Sequence, residues 1–261
     1  MRKEVIIANP AGNITALVPG NINSEHYIEI AESLMAIPGY NIEQVGFIQE
    51  PKLDNTIGRL EMMGGEFCAN ASRSFAMFLA FEELQGEKEF LIEVSGAETP
   101  VLAFTNTNES TAGIELMVEK KITELEIDGV IFPVVHLDGI LHVLALDMKE
   151  DEDLTARVLH KVKTLYNPEA TGVMYLDTNA LTMVPLVYVA QTDTLIREGS
   201  CGSGTVAASI YLCNEKDADY AEFDIVQPGG SINASIKSLD NDMYRIKIGG
   251  YIELQSHFLG Y

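Results

Sequence analysis

The chain has no tryptophan, only three cysteines and few basic residues, and the last two shortages exclude whole classes of protein. Lysine and arginine number 17 against 39 aspartates and glutamates, so the formal net charge at pH 7 is −22. Such an acidic surface argues against nucleic acids and anionic membranes as partners, because their phosphates would be repelled. No stretch approaches the roughly 18–20 consecutive apolar residues of a membrane helix.

The N-terminal residues also lack the long apolar segment of a secretory signal peptide, and 1–10 is typical of a first strand. Without an export signal, the three cysteines are expected to stay reduced in a cytoplasm. A length of 261 residues suffices for one large domain or two small ones.

Two of the cysteines, Cys68 and Cys201, occur in similar stretches of sequence. Each follows glycine-containing residues, is followed by small residues, and precedes an apolar run. This pattern predicts a cysteine at a turn that begins a helix. A helix N-terminus offers unpaired N–H groups and the positive end of a dipole, which bind anions and favour a thiolate.

The similarity extends well beyond the cysteines. A glycine follows each cysteine by 28 residues, and two further glycines precede it at comparable spacings. A self-similarity of this length indicates two copies of one structural unit. The matched landmarks, first copy against second, are Gly12 and Gly139, Gly46 and Gly172, Cys68 and Cys201, and Gly96 and Gly229.

We therefore expect an α+β fold of two units related by an approximate twofold, each with a mixed or antiparallel sheet around a central helix. The first unit is predicted to span 1–112, with 250–261 crossing back to add a strand, and the second to span 113–249. Apolar periodicity and capping residues predict helices over 23–36, 69–84, 152–165 and 205–213. Segments rich in Val, Ile and aromatic residues predict strands through most of the remaining chain.

Paired cysteines at helix starts suit one kind of chemistry. A racemase without a cofactor must remove a weakly acidic Cα proton and return one from the opposite face. It needs two bases, one ionised and one protonated, which titrate as a pair. Cys68 and Cys201 are the candidate bases. The candidate donors to the substrate carboxylate are the N–H groups of Ala69, Asn70, Gly202 and Ser203.

Other roles for the cysteines stay open at this point. They could form a structural disulfide, which a cytoplasm opposes, or lie buried and inert, as expected for Cys213 in its apolar run. Zinc would require more Cys and His at ligand spacing, and a pyridoxal enzyme requires a Schiff-base lysine in a marked site. The sequence offers neither, so we expect no metal and no cofactor.

The two cysteine turns, together with Gly12-Asn13, Val45-Gly46-Phe47 and Pro228-Gly229-Gly230, resemble diaminopimelate epimerase over essentially the whole chain. That family has two pseudo-symmetric α/β units, a cysteine pair and no cofactor. The resemblance implies that Asn13 contacts the substrate and that the turns after both cysteines bind its α-carboxylate.

Three departures from that family argue against diaminopimelate as the substrate. The family's Asn-x-Asp-Gly-Ser run before the first cysteine is replaced by 62–65. Its Glu-Arg-Gly run, which holds the distal amino-acid head, is replaced by 191–198. A strand asparagine is Thr171 here.

The chain resembles the histidine racemase branch of the same fold more closely, in 9–13, 43–48, 65–71, 94–96, 200–205 and 227–232. This resemblance implies that Glu43 faces the substrate imidazole, and a carboxylate can accept an imidazole N–H. His142 matches a histidine near the entry of the second unit. A solvated strand end for Glu43 and a core histidine for His142 remain the alternatives.

Four functions stay open on this evidence. The first is a cytoplasmic, cofactor-independent histidine racemase, for which a homodimer is compatible with the sequence. The second is diaminopimelate epimerase or another amino-acid racemase of the same chemistry. A non-catalytic amino-acid binder and a dithiol redox sensor complete the set, although a sensor usually places its cysteines in mobile, exposed positions.

Overall fold

The computed structural model describes residues 2–260 and separates them into two units. Unit 1 contains the residues up to Leu116 and those from Gly249 onward, and unit 2 contains Met117–Ile248. Over the described residues the chain forms four α-helices and seventeen strands, which confirms the predicted α+β class. None of these helices combines the length and the apolar character needed to cross a membrane.

Unit 1 begins with a hairpin and holds the first two helices. Its elements are β1 (Arg2–Asn9), β2 (Thr15–Val18), α1 (Tyr27–Met35, after a 3₁₀ turn Ser24–His26), β3 (Gln44–Gln49), β4 (Arg59–Met62), α2 (Ala69–Leu79, continued as a π-helix Ala80–Leu84), β5 (Glu87–Val94), β6 (Val101–Asn106), β7 (Thr111–Glu119, which runs past the division at Leu116) and β17 (Glu253–Gly260).

Unit 2 repeats this order of elements. It contains β8 (Ile122–Ile127), β9 (Val130–Leu137), β10 (Ile140–Leu146), α3 (Glu152–Leu165), β11 (Ala170–Asp177), β12 (Thr182–Val189), β13 (Thr194–Arg197), α4 (Gly202–Glu215), β14 (Tyr220–Gln227), β15 (Gly230–Ser238) and β16 (Met243–Tyr251, which runs past the division at Ile248).

The strand pairings show that the two units share one topology. In unit 1 the neighbours are β17, β1, β2, β3, β4, β5 and β6, and the successive pairs are antiparallel, antiparallel, parallel, antiparallel, parallel and antiparallel. In unit 2 the neighbours are β8, β9, β10, β11, β12, β14 and β15, with the same succession of directions. The internal sequence repeat thus corresponds to a repeat of sheet topology.

Each unit buries one helix against its sheet, as expected. In unit 1, α2 contacts β2, β3 and β6, and in unit 2, α4 contacts β9, β10, β11, β14 and β15. Nearly every residue of both helices is buried. The outer helices are amphipathic: α1 places Tyr27 flat on Phe47 of β3, with 3.8 Å between ring centroids, and α3 buries Leu154, Val158 and Val162.

The four predicted helices are confirmed, with α4 beginning at Gly202 rather than at 205. Its first residues are glycine and serine, which are poor helix formers, but the side chain before them caps the helix and compensates. Two strands were not predicted. β8 is interrupted by charged residues, and β13 is a four-residue strand whose side chains are all exposed.

Candidate active site

Cys68 and Cys201 occupy the same backbone position in their units. Each is the N-cap of its helix, with φ −125° and ψ 112° at Cys68 and φ −125° and ψ 113° at Cys201. Each Sγ accepts a hydrogen bond from the N–H three residues later, at 3.4 Å from Ala71 and 3.3 Å from Gly204. The prediction that each cysteine begins a helix is confirmed, and both thiols are free.

The glycine found 28 residues after each cysteine supports the turn that precedes it. Gly96 has φ +73°, and a Cβ there would lie 2.3 Å from the backbone nitrogen of Phe67, next to Cys68. In unit 2 the N–H of Gly229 donates to the carbonyl of Gly199, 2.8 Å away and two residues before Cys201. These spacings recur because each loop packs directly on the cysteine turn of its own unit.

A directional chain of hydrogen bonds runs through unit 1. The Arg73 guanidinium donates from Nη2 to Asn70 Oδ1 at 2.8 Å, and Asn70 Nδ2 donates to Asn13 Oδ1 at 3.3 Å. Asn13 Nδ2 then donates to Glu43 Oε2 at 2.8 Å. The chain therefore brings together three predicted site residues and joins them to the start of α2.

Burial sets the electrostatics of this chain. Arg73, Asn70 and Asn13 are almost completely buried, and Glu43 is half-buried. Burial raises the pKa of the Glu43 carboxyl, and the hydrogen bond from Asn13 partly offsets that rise. Burial lowers the pKa of Arg73 to about 10, against the opposing influence of Cys68, so the guanidinium keeps its charge at neutral pH.

A different set of side chains surrounds Cys201 in unit 2. The backbone N–H of Cys201 donates to Gln227 Oε1 at 2.8 Å, and Gln227 Nε2 donates to Thr205 Oγ1 at 2.9 Å. The Cys201 sulfur and the Ser203 hydroxyl lie 3.4 Å apart. The same hydroxyl lies 3.0 Å from Nε2 of His142, so two predicted site residues meet at this cysteine.

His142 is completely buried on β10. Burial lowers its pKa to about 3, so the imidazole is neutral at physiological pH, and its Nδ1 has no hydrogen-bond partner among the described residues. The ring fits because Gly172 lies opposite it on β11, where a Cβ would be 2.2 Å from Nδ1. The Gly172 landmark of the repeat thus makes room for this imidazole.

The two thiols differ in their electrostatic surroundings. Cys201 is buried, and burial together with the nearby Glu198 carboxylate raises its pKa well above the ordinary value, against hydrogen bonds from Ser203 and Gly204. Cys68 is only half-buried and interacts electrostatically with Arg73. The helix starts therefore share a backbone conformation but not a charge environment.

Sequence reasoning missed three residues of these sites: Arg73, Glu198 and Gln227. Arg73 carried a detectable signal, since it is the only charged residue between Ala69 and Ala80 in an otherwise uncharged helix. Gln227 belongs to a segment that matched the histidine racemase branch, but nothing in the sequence indicated that its amide holds Cys201. Glu198 gave no signal beyond its position three residues before Cys201.

Known proteins resemble this chain over nearly its whole length. A family model described as "Histidine racemase CntK N-terminal domain" matches residues 4–258. A histidine racemase from Fusobacterium nucleatum subsp. nucleatum is 34% identical over 262 residues, which is 96% of this chain and 94% of the relative. A histidine racemase from Staphylococcus aureus is 28% identical over 268 residues, covering 94% of this chain and 92% of that protein.

Solved structures confirm the expected fold. A hydroxyproline epimerase from Agrobacterium vitis superimposes with a TM-score of 0.70 at 10% sequence identity, covering 98% of this chain and 92% of that one. At this identity the likeness establishes the fold alone.

Proposed function

The chain belongs to the histidine racemase family, and from that premise we propose that it interconverts L- and D-histidine without a cofactor, using Cys68 and Cys201 as its two bases. The observation that carries the proposal is the repeated helix start. In each unit a cysteine caps a buried helix with the same backbone angles and the same N–H···S contact. Few other reactions require two thiols in equivalent settings.

In the proposed mechanism one cysteine is a thiolate and its partner a thiol. The thiolate removes the Cα proton, so that the C–H bond breaks, an S–H bond forms, and the electron pair passes into the carboxylate as an enolate. The second thiol then protonates Cα from the other face. N–H groups at the starts of α2 and α4, from Ala69, Asn70, Gly202 and Ser203, stabilise the charge that develops on the carboxylate.

Glu43 is proposed to select the imidazole side chain. Asn13 holds one carboxylate oxygen, Oε2, at 2.8 Å, while Oε1 has no hydrogen-bond partner among the described residues. That oxygen can accept an imidazole N–H and favours a cationic ring. His142, neutral and buried, orients Ser203 beside Cys201 and contributes to the site through that hydroxyl.

Incubation of the protein with L-histidine in deuterated water tests this proposal. Proton NMR should show loss of the Cα–H signal, and chiral chromatography should show D-histidine formed at a comparable rate. Activity should survive EDTA and carbonyl reagents and should fall on thiol alkylation. Binding without exchange would indicate an amino-acid binder, and faster exchange of diaminopimelate would assign the protein to a different substrate.

A further inference from the structure

Arg73 stands out because its charge is buried and incompletely bonded. The guanidinium is inaccessible to solvent, and of its three nitrogens only Nη2 has a hydrogen-bond partner among the described residues. Burying a charge with unpaired donors destabilises a fold unless another contribution offsets the loss. An apolar side chain of similar size would suit packing better, so the charge itself needs an explanation.

The bonded part of the guanidinium sets the direction of the hydrogen-bond chain. Arginine can only donate, so Asn70 must present its oxygen to Arg73 and its NH₂ group to Asn13. Asn13 in turn must present its NH₂ group to Glu43, which accepts as a carboxylate. A single donor at one end therefore fixes the orientation of both amides and of the carboxylate.

The position of the charge along α2 matters as well. Arg73 follows Cys68 by five residues on the same helix, and the two groups interact electrostatically. The other charged groups near this turn are Glu43, reached through the two asparagines, and the exposed Glu66. Arg73 is thus the cation placed to favour a thiolate at Cys68.

Unit 2 has no counterpart to this cation. The residue five positions after Cys201 is the buried Val206. The charged group that meets the Cys201 sulfur is the Glu198 carboxylate, which accepts from the thiol, and His142 on β10 is neutral. The two cysteines therefore face charges of opposite sign.

We propose that Arg73 is a positioning residue that holds Cys68 as the resting thiolate of the pair, with Cys201 as the resting thiol, and that orders the Asn70–Asn13–Glu43 chain. The proposal rests on the proposed function, because it assigns the starting roles in the two-base reaction. In the free enzyme Cys68 is then the proton acceptor and Cys201 the proton donor. The enantiomer whose Cα–H faces Cys68 reacts without prior proton redistribution.

Thiol alkylation in the absence of substrate tests the assignment independently of racemase activity. The full-length protein is treated briefly with iodoacetamide between pH 5 and 10, and mass spectrometry follows Cys68 and Cys201 separately. In the wild type, Cys68 should be modified at a lower pH than Cys201. In Arg73→Met the Cys68 midpoint should rise by about one pH unit or more, the effect of losing a nearby opposite charge, while that of Cys201 stays unchanged.

Arg73→Lys and Arg157→Met complete the design. Lysine keeps the charge without the planar fork, so the Cys68 midpoint should move less, whereas preference for histidine over other amino acids should fall because Asn70 loses its fixed donor. Arg157, exposed and paired with Asp128 on unit 2, is the matched control and should leave both profiles as in the wild type.

Circular dichroism checks that each variant is folded, and if Arg73→Met does not fold, Arg73→Lys decides the question. An unchanged Cys68 profile in folded Arg73→Met would overturn the proposal, as would unchanged histidine preference in Arg73→Lys. Equal alkylation of both thiols in the wild type would also overturn it. None of these outcomes depends on whether histidine is racemised, except the preference measurement.

Discussion

The start of α2 in unit 1 and the start of α4 in unit 2 present one backbone with two sets of side chains. The cysteine dihedral angles agree to within 1°, and each sulfur accepts the same N–H contact. Around Cys68, an arginine, two asparagines and a glutamate form a charged chain, while Cys201 lies among a neutral imidazole, a serine and a glutamine. Equivalent backbone donors are needed wherever a carboxylate is held from two ends, but a racemase pair needs one thiolate and one thiol.

The largest effect is expected from removing either sulfur. Cys68→Ser and Cys201→Ser should each lower racemisation by about 10²- to 10⁴-fold or more, the contribution of a positioned general acid or base, because a hydroxyl is far too weakly acidic to replace a thiol. D-histidine formation measures the loss. Cys213→Ser, at a buried core thiol on α4, is the control and should retain activity. Full activity in either single variant would end the two-base model.

The supporting glycines come next. Gly96→Ala places a methyl group 2.3 Å from the Phe67 nitrogen at a backbone with φ +73°, so the Cys68 turn must move. We expect a loss of unfolding free energy larger than the about 1–2 kcal/mol that positive φ alone costs an L residue, and a marked loss of activity.

Gly86→Ala separates the two contributions. Gly86 has φ +78° but open space around its Cβ position, so only the backbone cost applies. Urea denaturation of both variants compares them. Equal destabilisation would show that the contact between Gly96 and the cysteine turn is unimportant.

Glu43→Ala should cost about tenfold to a hundredfold in kcat/KM for histidine, because a charge-assisted hydrogen bond contributes roughly 1.5–3 kcal/mol. Slow Cα deuterium exchange should persist, and Glu43→Gln should recover part of the loss, since its amide oxygen still accepts an N–H. The matched glutamate of the second repeat, Glu169, is exposed, and Glu169→Ala should have little effect. Histidine turnover left intact in Glu43→Ala would contradict the assignment of Glu43.

The smallest effect concerns His142 and pH. Its pKa is about 3 in the folded protein, against an ordinary value of 6.5, so the unfolded chain binds the proton more readily between these values. Stability should therefore fall as pH drops below about 6.5, by about 2 kcal/mol at pH 5. His142→Gln should remove this part of the slope of unfolding free energy against pH.

His160→Gln, at an exposed position on α3, is the control and should keep the wild-type slope. Chemical denaturation at pH 7 and pH 5 provides the comparison. If His142→Gln and the wild type lose the same stability on acidification, the imidazole is not buried in its neutral form.

Local signals account for what could be predicted about the fold. The helices of 152–165 and 69–84 follow from apolar periodicity, and a cysteine among small residues before an apolar run indicates an N-cap. The strands β8 and β13 escaped prediction because pairing with neighbouring strands, rather than their own composition, holds them in place. A four-residue exposed strand such as β13 has no hydrophobic pattern of its own.

By itself, the sequence determined the two cysteine-capped helix starts, the internal repeat and the family, because each depends on residues close together in the chain or on spacings that recur. Only the tertiary structure decided which side chains meet at each cysteine. Asn13 reaches Glu43 across 30 residues and His142 reaches Ser203 across 61. The burial of Arg73 likewise depends on the strands that close around α2. Because the charge environment of a thiol is set by distant segments folded against it, the difference between the two cysteines is absent from either motif.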